Sequence, residues 1–152
     1  NISEIIDAAE HMSRKKIGGT IILERLSEME SLINTGIKTD AYITKEFILS
    51  IFNKKSDLHD GAVVIRQGRV SAASCYIPYL SGNPNIPKHF GTRHRSAIGL
   101  SEQTDAFIIV VSEETGDITV MHNSEYFMGI NIKKVNSMLK AIFVEHSKGK
   151  NK

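Results

Sequence analysis

The 152-residue sequence contains no tryptophan, one cysteine and three prolines, and neither sign of charge dominates. A single cysteine, Cys75, excludes an internal disulfide and fits a reducing compartment. Because it lies in an apolar, strand-like run, we expect its thiol to be buried. The formal net charge of +2 at pH 7 and the lack of tryptophan disfavour a nucleic-acid-binding domain. The one longer basic block, residues 148–152, is expected to be a disordered tail.

Long apolar runs are also missing. No stretch approaches the ~18 residues that a membrane helix needs, and no signal-peptide pattern opens the chain. We therefore expect the chain as given to be soluble, and its start at Asn1 instead of methionine suggests that upstream residues were removed. With 41% hydrophobic and 24% charged residues, we expect one compact domain at residues 1–147, followed by the tail.

Several common site signatures are absent. The sequence has neither GxxxxGK[ST] nor GxGxxG, so any nucleotide would bind outside the P-loop and dinucleotide frameworks. The six histidines show no HxxxH spacing and no cysteine partners, which disfavours a structural zinc site. A GxSxG nucleophile elbow is missing as well.

Hydrophobic periodicity predicts alternating helices and strands, giving an α/β or α+β fold with a mixed, largely antiparallel central sheet flanked by helices. Thr44 and Asn131 are the predicted caps of two helices. The polar region Ser27–Asp40 is predicted to be a loop that holds at most one helical turn. Helices are expected near residues 2–12, 45–52, 92–100 and 132–143, and strands near 17–24, 62–66, 70–77, 106–112 and 117–122. The second and third of these strands are predicted to form one hairpin, and the fourth and fifth another.

Two short segments carry the chemistry. Asp60-Gly61 places a carboxylate beside a residue without a side chain, and Gly91–Arg95 gathers two guanidiniums, an imidazole and a hydroxyl. Phosphoryl chemistry uses this combination, because a base can take a proton from a hydroxyl while arginines hold phosphate oxygens. Taken singly, an Asp-Gly turn and a solvated basic stretch explain them as well. Arginines at the positive end of a helix are unfavourable unless an anion binds there.

Three longer segments resemble the diadenylate cyclase domain family over roughly residues 3–130. They are IGGTIILER, DLHDGAVVIRQGRVSAASCYIPYL and GTRHRSAIGLSEQTDAFIIVVSEETGDITV. The resemblance is greatest to the membrane-linked subtype, in which the catalytic domain follows N-terminal transmembrane helices. It implies a cytoplasmic catalytic domain of a protein anchored in the cell membrane, where a regulatory protein is a further possible partner.

The resemblance also implies an activity: two ATP molecules are condensed into cyclic di-AMP and two pyrophosphates. A homodimer is required, because two protomers, each with one ATP, meet face to face. Asp60 would activate the 3′-hydroxyl, and Gly61 would let the backbone approach the ribose.

The family's motifs imply further site residues. In the motif that begins at Gly91, Thr92, Arg93 and Arg95 would hold phosphates, while His94 would shape the motif. The two arginines are also counted with the catalytic residues.

Other implied positions lie elsewhere in the chain. Ser112 would donate to phosphate, and Glu113 with His59 would hold a divalent cation, Mn²⁺ or Mg²⁺, with Co²⁺ as a third option. Tyr76 and Ile77 would line the adenine pocket, through an aromatic face and backbone amides. Ordinary turn roles are the alternatives for both His59 and Glu113.

Another class of function remains open. A non-catalytic nucleotide-binding regulatory module would keep the arginines, although it would not need Asp60. The sequence departs from the family at Gly19-Thr20 and at Ile77-Pro78-Tyr79. Both changes bear on the base contacts and leave the reacting groups intact.

Overall fold

One mixed sheet carries the fold in a computed structural model that describes residues 1–150, with side chains described through residue 143. The strands are β1 (Gly19–Leu23), β2 (Ile37–Tyr42), β3 (Ala62–Arg66), β4 (Arg69–Cys75), β5 (Phe107–Val111), β6 (Ile118–His122) and β7 (Glu125–Phe127). They lie in the order β2-β4-β3-β1-β5-β6-β7. Only the β1–β3 pair is parallel among the described strands, so the predicted fold class is confirmed.

Helices cover both faces of this sheet. They are α1 (Ile2–Lys15), α2 (Glu30–Ile33), α3 (Lys45–Phe52), α4 (Thr92–Gln103) and α5 (Ile132–Lys150). One core cluster joins α1, α3 and α5 to one face, and a second joins α2 and α4 to the other. Successive strand residues alternate between the clusters, as the two-residue period of a strand requires.

The predicted local signals are largely confirmed. Both hairpins form, β3–β4 and β5–β6. Thr44 caps α3 by accepting the Phe47 N–H at 3.1 Å, and Asn131 caps α5 by accepting the Lys134 N–H at 2.9 Å. Cys75 is buried, and burial raises the pKa of its thiol to about 11.

The prediction for Ser27–Asp40 was right about a single helical turn, which is α2, and wrong about the end of the region. Residues 37–40 belong to β2, which pairs antiparallel with β4 at one edge of the sheet. Its residues are mostly exposed, so β2 lacks the apolar alternation that reveals a half-buried strand. The three-residue strand β7 at the other edge was also missed.

The last helix, α5, extends to Lys150. The predicted disordered tail, residues 148–152, therefore begins inside this helix, at residues whose side chains are not described, and its last two residues lie outside the described residues. The domain boundary at residue 147 stays a prediction. Among residues 1–150, no helix combines the length and hydropathy needed to cross a membrane.

Aromatic stacking fixes the segment before α4. The rings of Phe90 and His94 stack at 4.4 Å between centroids with 15° between planes, and Tyr126 of β7 meets Phe90 edge-on at 5.9 Å. Arg95 donates its Nε–H to the Phe90 carbonyl at 3.0 Å. The first turn of α4 is therefore tied to β7 and to its own preceding loop.

We expect His94→Phe to reduce the loss of stability on acidification. Burial, followed by the charges of Arg93 and His89, lowers the pKa of His94 to about 4. Between the ordinary pKa of ~6.5 and that value, the unfolded chain binds a proton that the folded chain does not, so acid destabilises the fold. Phenylalanine keeps the stack on Phe90 and removes this proton.

Urea unfolding of both proteins at ~pH 7 and ~pH 5 measures the difference. His122, whose pKa is also lowered by burial, contributes equally to the two proteins. Equal losses of unfolding free energy would contradict the assignment to His94.

Candidate functional site

A cleft of about 1040 Å³ opens at one end of the sheet, where β1 and β3 begin and β4 and β5 end. A row of paired residues crosses the sheet beneath it: Cys75, Ala62, Thr20, Val110 and Thr119. Thr20 and Thr119 line the cleft although they are only 2% and 1% exposed. The floor therefore presents two threonines from otherwise apolar strands.

The predicted site residues gather here, with two exceptions. All of them line the cleft except His59 and Arg95. Those that line it are Asp60, Gly61, Tyr76, Ile77, Gly91, Thr92, Arg93, His94, Ser112 and Glu113.

The Asp60-Gly61 corner fits against an irregular part of β4. Gly61 has φ +91°, and a β-carbon there would lie 2.8 Å from the Cys75 carbonyl oxygen. Opposite it, Ser74 has φ +56°. Between the pairs Ala62–Cys75 and Ile65–Val70 the register shifts twice, so β4 holds two more residues than β3 over the same span. Only glycine allows both the positive φ at position 61 and the close approach to β4. Asp60, just before it, is exposed on the cleft wall.

His59 is oriented by its own loop. Its Nδ1 lies 2.8 Å from the Ser56 carbonyl oxygen, which can only accept, so Nδ1 carries the proton. In the neutral imidazole the lone pair is then on Nε2. Histidines that bind a metal through one ring nitrogen typically donate the other N–H to a carbonyl, as here.

Arg93 lies against Gly18 at the N-terminus of α4. A β-carbon on Gly18 would be 2.8 Å from Arg93 Nη1 and 2.9 Å from Glu113 Cβ, so the missing side chain leaves the space that both residues use. Within the described residues, no hydrogen-bond or ion-pair partner is found for the Arg93 guanidinium. The N-cap Gly91 makes no side-chain cap, and the first turn has no acidic residue. Free amides, a helix dipole and an unpaired guanidinium together favour an anion.

Arg95 is placed differently from Arg93. Its guanidinium donates to the Phe90 carbonyl, outside the cleft lining. Residues two apart on a helix are separated by about 200° around its axis, so the two arginines cannot face the same way. The structure thus brings one of the two predicted phosphate-holding arginines into the cleft.

The turn after β5 supplies Ser112 and Glu113. Ser112 Oγ accepts the N–H groups of Glu114 and Thr115, each at 3.2 Å, which leaves its hydroxyl hydrogen free to donate into the cleft. Gly116 closes the turn at φ +79°. Its carbonyl accepts the Ser13 hydroxyl at 2.6 Å, so the end of α1 fastens the turn.

Lys54 contacts the carboxylate of Glu113. Its Nζ lies 3.1 Å from Glu113 Oε1, and both side chains are largely exposed. The hydrogen bond and charge of Lys54, with weaker effects of Arg93 and His59, lower the pKa of Glu113. Glu113 is therefore ionised and lies among three basic side chains.

The end of β4 presents one aromatic ring and one free amide. Tyr76 lines the cleft and is 70% exposed. Its backbone N–H is not available to a ligand, because it donates to Thr35 Oγ1 at 2.8 Å. Thr35 Oγ1 in turn donates to the Leu32 carbonyl at 2.6 Å. Within the described residues, the Ile77 N–H has no such partner. Of the two expected base-reading amides, that of Ile77 is the one available.

Sequence reasoning missed several residues at this site. Gly18, Thr35 and Lys54 act through contacts with distant segments, which no local pattern reports. Thr119 was also missed, although a hydroxyl inside an apolar strand is a signal, because burying it costs free energy unless it has a hydrogen-bond partner. Thr20 was named only as a departure from the family near the base contacts. Within the described residues, no group of three or more His, Cys, Asp or Glu side chains could hold a metal without other ligands.

Comparison with known proteins identifies the family. The model of the DAC family, described as DisA bacterial checkpoint controller nucleotide-binding, matches residues 6–126. The "Cyclic di-AMP synthase CdaA" of Bacillus subtilis (strain 168) is 39% identical over 147 residues, 97% of this chain and 54% of that protein. The "Diadenylate cyclase CdaS" of Bacillus thuringiensis (strain BMB171) is 44% identical over 114 residues, 75% and 56% of the two chains. This chain thus spans about half the length of these curated relatives.

Two solved structures share the fold. DacA from Staphylococcus aureus, solved as a double cysteine mutant, has a TM-score of 0.89 and 38% identity, with 93% of each chain covered. A Bacillus cereus chain described as a hypothetical membrane spanning protein has a TM-score of 0.80 and 40% identity, covering 85% of this chain and 63% of the other. With the family model matching most of its length, this chain belongs to the DAC family of DisA-type nucleotide-binding domains.

Proposed function

We propose that this chain is a diadenylate cyclase domain, which condenses two ATP molecules into cyclic di-AMP and two pyrophosphates. The observation that carries the proposal is the pairing, in one cleft, of the exposed carboxylate of Asp60 with the unpartnered guanidinium of Arg93. Relatives named for this activity support it. The first group suits proton removal from a hydroxyl, and the second suits a phosphate.

Each wall of the cleft has a part in the proposed substrate complex. Arg93, the free amides at the start of α4 and the Ser112 hydroxyl hold the phosphates. The Tyr76 ring stacks on adenine, while the Ile77 N–H donates to one of its ring nitrogens. Arg95 supports this arrangement by fixing the Phe90 carbonyl.

In the proposed reaction, Asp60 takes the proton of the ribose 3′-hydroxyl. The 3′-oxygen then forms a bond to the α-phosphorus of the opposite ATP, and the bond from that phosphorus to the bridging oxygen of pyrophosphate breaks. Arg93 neutralises charge that develops on the phosphate oxygens. Repeating the step on the other ATP closes the ring and releases the second pyrophosphate.

A divalent cation fits the donors of this site. His59 has a free Nε2 lone pair and Glu113 is ionised, and nucleotide phosphates and water would complete the ligand set, as magnesium sites commonly require. When bound, such an ion would neutralise phosphate charge and increase the acidity of the hydroxyl. We assign His59 and Glu113 to it, with Mn²⁺ or Mg²⁺ as the candidates.

The proposed reaction requires two copies of the chain. One cleft offers one proposed base, Asp60, and one phosphate-binding helix start, whereas ring closure needs two hydroxyls and two α-phosphates in opposition. The partner is therefore a second protomer facing the first. We also propose that this domain lies in the cytoplasm as part of a protein anchored in the cell membrane, which is supported by the relatives' greater length and by the solved neighbour described as membrane spanning.

A regulatory module that only binds nucleotide is the competing function. It would use Arg93 and the start of α4 equally well. The glycine-dependent corner that exposes Asp60 has no purpose in such a module, and this favours catalysis.

Incubation of the purified chain with ATP and Mn²⁺ tests the function. We expect chromatography to find one cyclic di-AMP for every two pyrophosphates, with a rate per protomer that falls on dilution into the range where light scattering reports monomers. Binding of ATP without product would favour the regulatory module. A constant rate per protomer among monomers would exclude the facing dimer.

Asp60→Asn should separate binding from chemistry. The amide keeps the size of the side chain but removes the base, so we expect the rate at saturating ATP to fall ~10²- to 10⁴-fold, as for other general bases. ATP affinity, measured by calorimetry, should stay within about threefold of the parent. A rate near that of the parent would remove Asp60 from the reaction, and weak binding with a normal rate would make it a ribose anchor.

Gly18→Ala should weaken ATP binding about tenfold, because a β-carbon would displace the Arg93 guanidinium or Glu113. Gly82→Ala is the matched control, since no atom lies within 4 Å of the position of its β-carbon. Calorimetry with ATP compares the two variants, and circular dichroism checks that both are folded. Equal affinities in the two variants would show that the Gly18 space is not needed.

A further inference from the structure

Lys54 lies in the loop that carries the proposed base. The helix α3 ends at Phe52, and the loop after it is held by its own turns: Asn53 Oδ1 accepts the Lys55 N–H at 2.9 Å, and the Asn53 carbonyl accepts the Ser56 N–H at 2.8 Å. The backbone beneath Lys54 is therefore ordered by local hydrogen bonds. Its side chain, 69% exposed, reaches across to the turn after β5.

Glu113 is the contact that holds Lys54 at the cleft. The pair, 3.1 Å apart, links the loop of residues 53–60 to the turn of residues 112–116. Arg93 and Glu113 both border the space above Gly18, so Glu113 lies beside a guanidinium that has no partner in the described residues and also binds the ammonium of Lys54. In the free protein, Lys54 neutralises an acidic group beside the phosphate-binding arginine.

Nucleotide entry changes this balance of charge. A triphosphate brings several negative charges next to Arg93. The carboxylate of Glu113 then repels the ligand unless further cations neutralise both the phosphates and the carboxylate. Phosphate and carboxylate oxygens both form charge-assisted hydrogen bonds with an ammonium, and a triphosphate offers more negative charge in total than one carboxylate. A lysine suits such an exchange because its compact charge sits on a flexible four-carbon stem with three donors.

We propose that Lys54 is an exchangeable counter-ion, which binds Glu113 in the free cleft and moves to the terminal phosphates of the bound nucleotide. The proposal rests on the proposed function for the identity of the ligand, a nucleoside triphosphate. In the complex Lys54 contacts the two phosphates that leave as pyrophosphate, and the carboxylate of Glu113 becomes available to a cation. Lys54 is thereby a substrate-contacting residue on the same loop as Asp60.

Calorimetry without divalent metal, in the presence of EDTA, tests the exchange with ATP, AMP and inorganic pyrophosphate as probes. We expect Lys54→Met to weaken ATP and pyrophosphate binding about fivefold to tenfold and to leave AMP binding unchanged. Lys54→Arg should restore most of the affinity. The matched control is Lys55→Met, because Lys55 is the neighbouring lysine and makes no ion pair among the described side chains.

A second readout follows the carboxylate. Electron paramagnetic resonance of Mn²⁺ without nucleotide should show about threefold tighter binding to Lys54→Met than to Lys55→Met, because no ammonium competes for Glu113. If Lys54→Met and Lys55→Met lost the same ATP affinity, the loss would be an effect of surface charge in general, and the proposal would be overturned. So would an equal loss of AMP binding in Lys54→Met, or unchanged Mn²⁺ binding.

These outcomes are independent of the proposed reaction. A chain that binds ATP through Lys54 but forms no cyclic dinucleotide would refute the cyclase and keep the counter-ion. If the chain makes cyclic di-AMP but Lys54→Met leaves its ATP affinity unchanged, the cyclase is supported and the counter-ion is refuted.

Discussion

The burial of β1 is the constraint on which the rest of the structure depends. All five of its residues are buried, with β3 on one side and β5 on the other, so both faces of the sheet must be covered by helices. The parallel β1–β3 pair starts at one end of the sheet, and the antiparallel strands β4 and β5 finish there. Residues 60–61, 76–77 and 112–115 consequently meet at one cleft, although they are far apart in sequence.

Within the cleft, missing side chains shape the site as much as those present. Gly61 lets the backbone approach β4 closely, and Gly18 leaves room for Arg93 beside Glu113. The cleft also holds several hydrogen-bond donors that have no acceptor among the described residues, namely the guanidinium of Arg93, the Ser112 hydroxyl and the Ile77 N–H. A surface with more donors than internal partners is complementary to a ligand rich in acceptors, as a nucleotide is.

The sequence predicted the features that depend on local chemistry. The mixed sheet, both hairpins, the Thr44 cap and the position of Asp60-Gly61 follow from periodicity and turn residues, and the structure agrees. Arg93 and Arg95 stand two positions apart in one motif, which suggests a single cluster, but helical geometry turns their side chains in different directions. The phosphate-holding role of Arg95 stays a prediction.

What local patterns could not reveal involves distant partners. The strand β2 is exposed and takes its order from β4, and Thr35 reaches Tyr76 across 41 positions of sequence. Lys54 belongs to none of the motifs found in the sequence, and its contact with Glu113 exists only because the turn after β5 lies beside it. Such contacts depend on the tertiary structure, so the pattern of residues in any short stretch of the sequence cannot reveal them.

The two register shifts in β4 have a consequence for how this domain can vary in length. Each extra residue inverts which face the following side chains occupy, and the second inversion cancels the first, so Ala72 and Cys75 end on the same side while Val70 and Ala73 share the other. Loss of a single residue here would turn everything after it to the opposite layer. We therefore expect this domain to keep its cleft only when β4 gains or loses an even number of residues.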